Sequence, residues 1–364
     1  MASRAFIHIG TSKTGTTSIQ RIMLREADRL RRDHSINYPP TKHNHMTLAL
    51  PFLGDAPFQP VENHRLRGFA GKRLRTRGQR LVDGLKRDAS RYRTHVLSSE
   101  QLQVLDEDSV RRMADFFKRL GLATSIIVYV RHPAERISSL ISQRLRSGLF
   151  ALEDAAVYDD VLPMLQRYTR HFGRENIIVR TFDRKHWPNG RLIDDFMTTI
   201  NGAPIEGMTE LRENESLSAP AVQMAAHLFD VAPLTSRRRG HEQWLLRVAG
   251  PKFRAPRALV EKAMEANREC LAYLAAEYGI AFDDVDLSQF PETLTAEFSP
   301  ETIASLAAII NEQSFALDEV RRSRGGKLAK TVNKLLGWPL ASDFRRLAGA
   351  LAEEPAEPAR QTGR

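Results

Sequence analysis

Cysteine, long apolar runs and acidic residues are the scarce features of this 364-residue sequence. Cys270 is its only cysteine, which excludes an intramolecular disulfide and a cysteine-based metal cluster. It lies in NRECLAYLAAEYG, which reads as a helix face where a lone thiol serves as a small apolar residue. No stretch of about 18 consecutive apolar residues occurs, so no membrane-spanning helix is expected. The opening MASRAFIHIG runs straight into an apolar strand and a glycine turn, not a cleavable leader, and the expectation is a cytoplasmic protein. Acidic residues number 44 against 54 Lys and Arg, a formal net charge of +10. That imbalance favours anionic partners: nucleotides, acidic polysaccharide, nucleic acid or a membrane surface. No aromatic-basic interleaving of a nucleic-acid module accompanies it, so nucleic acid is not expected, whereas peripheral membrane contact stays open.

What is present is ordinary globular composition, 42% hydrophobic and 27% charged, arranged as alternating strands and helices. The pattern predicts an α/β fold with a central parallel sheet flanked by helices and a helical C-terminal part. Strands are expected at 5–10, 95–100, 125–131 and 176–182, the third (SIIVYVR) being β-branched enough for burial on both faces. Helices are expected from Thr14 to Arg32 and over 107–120, where Val110, Met113, Phe116, Phe117 and Leu120 share a face. Residues 35–62 read as loop because of five prolines, 64–92 as basic helix, and the chain beyond about 216 as mostly helical. The organisation expected is one domain over 1–330, with 35–93 as a loop and basic helical insertion, then a partly flexible extension over 331–364.

The segment GTSKTGTTS at 10–18 leaves a strand and opens a helix, a geometry that aims backbone N–H groups and the positive helix end at an anion. Gly10 and Gly15 let the backbone curl, and Thr14, Thr16, Thr17 and Ser18 offer hydroxyls. A nucleotide-binding P-loop has lysine directly after its second glycine, but Thr16 holds that place and the lysine sits earlier, at Lys13. The expected ligand is therefore phosphate-like but not magnesium-ATP.

FIHIGTSKTGTTSIQ resembles the 5′-phosphosulfate-binding loop of the sulfotransferase superfamily, which has a lysine just before a Gly-Thr-Thr turn. By that resemblance Lys13 contacts the oxygen bridging phosphate and sulfate, while Thr14, Gly15, Thr16 and Thr17, flanked by Ser12 and Ser18, hold the 5′-phosphate. In IIVYVRHPAERISSLISQ, Arg131 and Ser139, eight positions on, resemble the same family's 3′-phosphate motif. A guanidinium and a hydroxyl suit a phosphate that ATP lacks. LSSEQL at 97–102, VRTFDR at 179–184 and NESLSAP at 214–220 are similar to bacterial members. The resemblance implies a P-loop-like sulfotransferase fold, 3′-phosphoadenylyl sulfate (PAPS) as donor, 3′-phosphoadenosine 5′-phosphate as product and no metal. It also implies sulfuryl transfer to a hydroxyl or amine; a glycan or glycolipid is the expected acceptor, with small phenols, amines and lipids as the alternatives.

Such a reaction needs a general base within reach of the acceptor. Glu100, just past a strand's C-terminal end, is the first choice, and the carboxylate has the alternative role of capping the next segment or orienting Lys13. His43 and His45, in TKHNHMTLAL, are the alternative bases. His8 reads as a core or near-site residue, and His132 as locally bonded. Phe182 is the candidate wall for adenine; Arg324 and Lys327, in SRGGKL, are faint additions at the 3′-phosphate. Between residues 65 and 93 eleven cations are opposed only by Asp83 and Asp88. They form either a solvated helix face or a track for an anionic acceptor such as acidic polysaccharide, which Arg237, Arg238 and Arg239 would extend. Two other readings compete: a P-loop kinase for a small metabolite, and a non-catalytic binder of anions or polysaccharide.

Overall fold

The computed structural model describes residues 3–40, 44–54, 72–146, 161–210, 216–231 and 244–322. Strand β1 (Arg4–Ile9) is followed by α1 (Thr16–Arg25), α2 (Ala27–His34) and the short β2 (Ile36–Asn37). A 3₁₀ helix (Met46–Phe52) and α3 (Lys72–Asp88) precede β3 (Thr94–Ser99), a second 3₁₀ turn (Glu100–Val104), α4 (Glu107–Arg119), β4 (Ala123–Val130) and α5 (Pro133–Arg146). Then come α6 (Leu162–Phe172), β5 (Ile177–Thr181), α7 (Leu192–Asn201), α8 (Ala219–Val231), α9 (Arg257–Ala266), α10 (Arg268–Tyr278) and α11 (Pro300–Arg322). Among the described residues no helix is long and apolar enough to cross a membrane.

The chain divides into two compact units. The first comprises Met1–His132, Asp159–Glu213 and Asn267–Asp283, and holds the sheet. Its strand order is β2-β3-β1-β4-β5, with every neighbouring pair parallel. Successive side chains of a strand point to opposite faces, so β1 feeds two cores. Ala5, Ile7 and Ile9 pack with Leu97, Val128 and residues of α4, α6 and α10, among them Phe117, Tyr168 and the buried Cys270. Phe6 packs on the other face with Val96, Ile127, Tyr129 and the apolar sides of α1 and α7, including Ile19, Met23, Ile193 and Phe196. Both-face burial is the arrangement a parallel sheet requires, and it accounts for the unbroken apolar character of SIIVYV.

Two details depart from the sequence reading. The helix expected from Thr14 to Arg32 breaks at Glu26 into α1 and α2. Ala27 and Leu30, beyond the break, are buried, and the Glu26 side chain at it is 16% exposed. The proline-marked stretch also contains structure. Ile36 and Asn37 pair with β3, and Met46–Phe52 buries Leu48, Ala49, Leu50 and Phe52 despite Pro51 within it.

The second unit comprises Pro133–Tyr158, Asn214–Ala266 and Asp284–Arg364. Its described elements are helical, α5, α8, α9 and α11, around a core that includes Ile137, Ile141, Val222, Trp244, Phe253, Val260 and Ile309. Loops are tied to these helices by half-buried polar groups: Ser138 Oγ accepts from the Ala255 N–H (2.9 Å) and Gln223 Oε1 from that of Ala296 (2.7 Å).

Candidate active site

In a sheet whose strands all run the same way, every C-terminal strand end lies on one edge, and ligands of such sheets gather where the strand order reverses. Here that point is β1, the central strand, which is flanked by β3 on one side and β4 on the other. Ile9 is in register with Ser99 and with Val128, and Val130 with Thr181. The register brings together four segments far apart in sequence. They are the loop after Ile9, Glu100 after Ser99, Arg131 after Val130 and Phe182 after Thr181.

The loop turns through two left-handed residues, Lys13 (φ 65°) and Gly15 (φ 71°). A lysine in that region costs about 1–2 kcal/mol, and a set of hydroxyl bonds surrounds the loop to hold it. Thr11 Oγ1 donates to the Tyr129 carbonyl at 2.5 Å, and Thr14 Oγ1 donates to the Thr11 carbonyl at 2.8 Å. Thr16 Oγ1 reaches the same carbonyl at 3.4 Å. The threonine hydroxyls at 14 and 16 are thus turned inward and shape the loop, whereas the sequence reading had offered them to an anion. What the loop presents to an anion is backbone: α1 has no side-chain cap and no acidic residue in its first turn, leaving the N–H groups and positive end of the helix for a ligand. Ser12, Lys13 and Thr17 are half-buried, and Thr14, Thr16 and Ser18 are buried.

Both glycines are required by close approach. A Cβ on Gly15 would lie 2.3 Å from Leu192 Cδ2 and 2.9 Å from Phe182 Cε2. One on Gly10 would lie 2.2 Å from Thr16 Cγ2 and 3.0 Å from Glu100 Cγ. Glu100 therefore packs directly against the base of the loop. It is half-buried and opens the 3₁₀ turn after β3, which Ser99 caps by accepting from the Gln101 N–H at 3.2 Å. Two side chains of α6 fasten that turn: Tyr168 donates to the Leu102 carbonyl (2.8 Å) and Arg167 to the Gln103 carbonyl (3.1 Å). Gln103 Nε2 in turn donates to the carbonyl of Gly10.

Arg131 is half-buried, and its Nη1 approaches the Lys13 carbonyl at 3.5 Å. Its guanidinium stands 5.5 Å from the ring centroid of Phe182. Phe182 is fixed by its N–H donating to Val130 O (2.7 Å) and by edge-on contact with Trp187 at 5.0 Å. Lys13, Glu100, Arg131 and Phe182 are thus brought to one sheet edge in the first unit. Ser139 is half-buried on α5, which belongs to the second unit. Below the loop, Tyr129 donates from its hydroxyl to Asp195 Oδ2 (2.7 Å), and Asp195 is ion-paired with Arg180. Burial, then the Asp195 charge, pushes the Tyr129 hydroxyl well above its ordinary value. This buried cluster steadies the strand whose carbonyl holds Thr11.

The histidines serve the scaffold. His45 is fully buried: its Nδ1 accepts from the Ser98 N–H (3.0 Å), its Nε2 donates to the Pro39 carbonyl (3.0 Å), and its own N–H donates to Ser98 O (2.9 Å). The ring and backbone of His45 together extend the sheet edge beyond β2. Burial lowers its pKa to about 4, and neither ring nitrogen is left to take a proton from an acceptor. His8 lies in the core against Tyr129 and Phe196, with Nδ1 2.8 Å from Ser98 Oγ, and burial lowers its pKa to about 3. His132 meets Phe282 edge-on at 5.4 Å.

On α3, Leu81, Val82 and Leu85 are buried while Arg73, Arg75, Arg77, Arg80, Lys86 and Arg87 are exposed. Asp83 is 3.5 Å from Lys86, and Gly78 allows the helix to approach the Thr47 carbonyl. His43, Arg65, Arg67, Arg237, Arg238, Arg239, Arg324 and Lys327 lie outside the described residues, as do Asn214, Glu215 and the 331–364 extension. Among the described residues no group of three or more His, Cys, Asp and Glu side chains is placed to hold a metal ion.

Sequence reasoning missed Thr11 and Gln103. Each acts on a partner far along the chain, Tyr129 and Gly10, so no local pattern marks them. No family model matches the chain, and no curated protein matches it. Among solved structures the chain is similar to the crystal structure of a sulfotransferase from Alicyclobacillus acidocaldarius. The identity is 19% and the TM-score 0.38, over 68% of this chain and 96% of that one. A likeness this slight carries no argument about activity.

Proposed function

We propose that the chain transfers a sulfuryl group from PAPS to a hydroxyl or amine of a glycan or glycolipid, releasing 3′-phosphoadenosine 5′-phosphate. The observation that carries this reading is the meeting, on one edge of a parallel sheet, of a left-handed lysine loop, a strand-end carboxylate and a strand-end arginine. The donor identity rests on the resemblance of the two motifs at 10–18 and 131–139.

In the proposed step the acceptor oxygen attacks sulfur in line, and the bond from sulfur to the 5′-phosphate oxygen breaks. The acceptor proton passes to Glu100. Lys13 offsets the charge developing on the departing phosphate oxygen, the use a fixed cation has in a site screened from water. The N–H groups opening α1 hold the 5′-phosphate, and Arg131 takes the 3′-phosphate, joined by Ser139 on the strength of the sequence motif. Phe182 offers a wall to adenine. His45, with both nitrogens bonded, is not proposed as base. The scheme calls on no metal; positioning and electrostatics supply the rate, as in phosphoryl transfer.

One observation favours a magnesium-nucleotide kinase: Glu100 is a carboxylate ending the strand next to β1. Against it stands Thr16 in the place of the post-glycine lysine. Calorimetric titration with 3′-phosphoadenosine 5′-phosphate, and with ATP in the presence and absence of magnesium, separates the two. The expected result is micromolar binding of the bisphosphate that is lost in Lys13→Ala and Arg131→Ala. Preference for magnesium-ATP, or no nucleotide binding by folded protein, overturns the reading.

A further inference from the structure

Gln103 is half-buried in the turn that follows β3. Its carboxamide donates to two backbone carbonyls, Gly10 at the base of the lysine loop and Glu100 at 3.3 Å. The β1–β3 ladder ends with Ile9 level with Ser99, and Gln103, ninety-three positions from Gly10, adds a side-chain bond just beyond it. The turn is also held from behind, by Arg167 on the Gln103 carbonyl and Tyr168 on that of Leu102. On the loop side Glu100 is a close neighbour of Gly10, its Cγ 3.0 Å from where a Gly10 Cβ would be.

We propose that Gln103 is a positioning residue that clips the Glu100 turn to the Lys13 loop and so sets the reach of the Glu100 carboxylate. The role of Glu100 as base rests on the sulfuryl-transfer reading above; the clip itself does not. An amide is well suited to this position. It donates two bonds, both to main-chain carbonyls, without bringing a charge beside the Glu100 carboxylate. A shift of about 1 Å in a reacting group costs on the order of 100-fold in rate, so loosening this joint falls on turnover more than on donor affinity.

The test uses the full chain with two substitutions. Gln103→Met keeps length and removes both donors. Gln103→Glu restores a donor only when its carboxyl is protonated. With PAPS and whichever acceptor of a panel gives turnover, Gln103→Met is expected to lower kcat about 10- to 100-fold. Its affinity for 3′-phosphoadenosine 5′-phosphate should fall by clearly less than kcat does. In Gln103→Glu the acid limb of the rate profile moves to higher pH, since a second carboxylate beside Glu100 favours proton uptake. That shift reports how near the two side chains lie; the fall of kcat beyond that of donor affinity in Gln103→Met is the readout a purely structural role would not give. Wild-type kcat and an unshifted profile in folded variants overturn the proposal. Should the wild type form no sulfated product, the functional reading fails while the clip stays testable by amide hydrogen exchange. Gln103→Met should then speed exchange over both 10–15 and 100–104, and unchanged exchange in either segment refutes the clip.

Discussion

Gly15→Ala is the substitution on which the loop geometry makes its sharpest demand. At φ 71° the residue occupies the left-handed region, where an alanine costs about 1–2 kcal/mol. The new methyl also meets Leu192 Cδ2 at 2.3 Å and Phe182 Cε2 at 2.9 Å. Leu192 contacts it with the end of a flexible side chain and can swing aside. Phe182 is held by Trp187 and by the Val130 carbonyl, so part of the overlap persists. Overpacking of this kind costs about 1–3 kcal/mol, which brings the total to roughly 2–5 kcal/mol. Gly121 supplies the control: its φ is 68° and nothing lies within 4 Å of where a Cβ would sit, so Gly121→Ala carries the backbone cost alone. Urea unfolding of both variants, followed by fluorescence, should show Gly15→Ala the more destabilised by at least about 1 kcal/mol. Adding Leu192→Ala to Gly15→Ala should cost less than Leu192→Ala does in the wild type, because it removes the closer contact. Equal destabilisation by the two glycine substitutions, or strict additivity with Leu192→Ala, would refute the claim that Gly15 exists for close approach.

Two further outcomes follow from the site and its surroundings. His45 has its pKa lowered to about 4 by burial, against 6.5 for the free side chain. As pH falls below about 6.5 the unfolded chain takes up a proton that the folded one refuses, so stability is full above that value and declines toward pH 4. The loss is on the order of 3 kcal/mol by pH 4. The difference in urea midpoint between pH 7.5 and pH 5 should shrink in His45→Gln, and an unchanged difference would show the imidazole to be accessible to protons in the fold. On α3, replacing exposed Arg73, Arg77 and Arg80 by Gln should raise the KM for an anionic polysaccharide acceptor several-fold, with the donor KM unmoved. Equal effects on both, or none, would leave that helix a solvated face.

The sheet and the glycine-threonine turn after β1 were legible because their signals are local. A β-branched run marks β4, and a glycine-threonine turn after an apolar strand marks the loop. The break at Glu26 was not legible, because helical propensity continues through it. His45 misled for a related reason. A histidine in a polar, proline-marked loop reads as accessible, yet its ring stands in for a missing strand partner of Ser98, a pairing across 53 positions. Glu100 could be picked out because it follows a recognisable strand. The residue that holds its turn to the loop could not, since a glutamine three positions into a turn resembles any surface glutamine until Gly10 is seen beside it.

The inward turn of the threonine hydroxyls bears on how the loop discriminates among anions. With Thr14 and Thr16 bonded to the Thr11 carbonyl, and Thr11 to Tyr129, the proposed function would leave recognition chiefly to backbone N–H groups, Lys13 and Arg131. Backbone donors at a helix start accept phosphate and sulfate alike, so they contribute affinity without choosing the ligand. Choice must come from where the cations stand. Lys13 lies within the loop, before Gly15, and the Lys13 carbonyl is the group that Arg131 approaches. Arg131 meets the main-chain carbonyl of position 13, a group that any residue there would keep. Thr16 is buried, with Oγ1 3.4 Å from the Thr11 carbonyl and Cγ2 2.2 Å from where a Gly10 Cβ would lie, so a lysine at position 16 would give up that bond and need room that the loop does not offer.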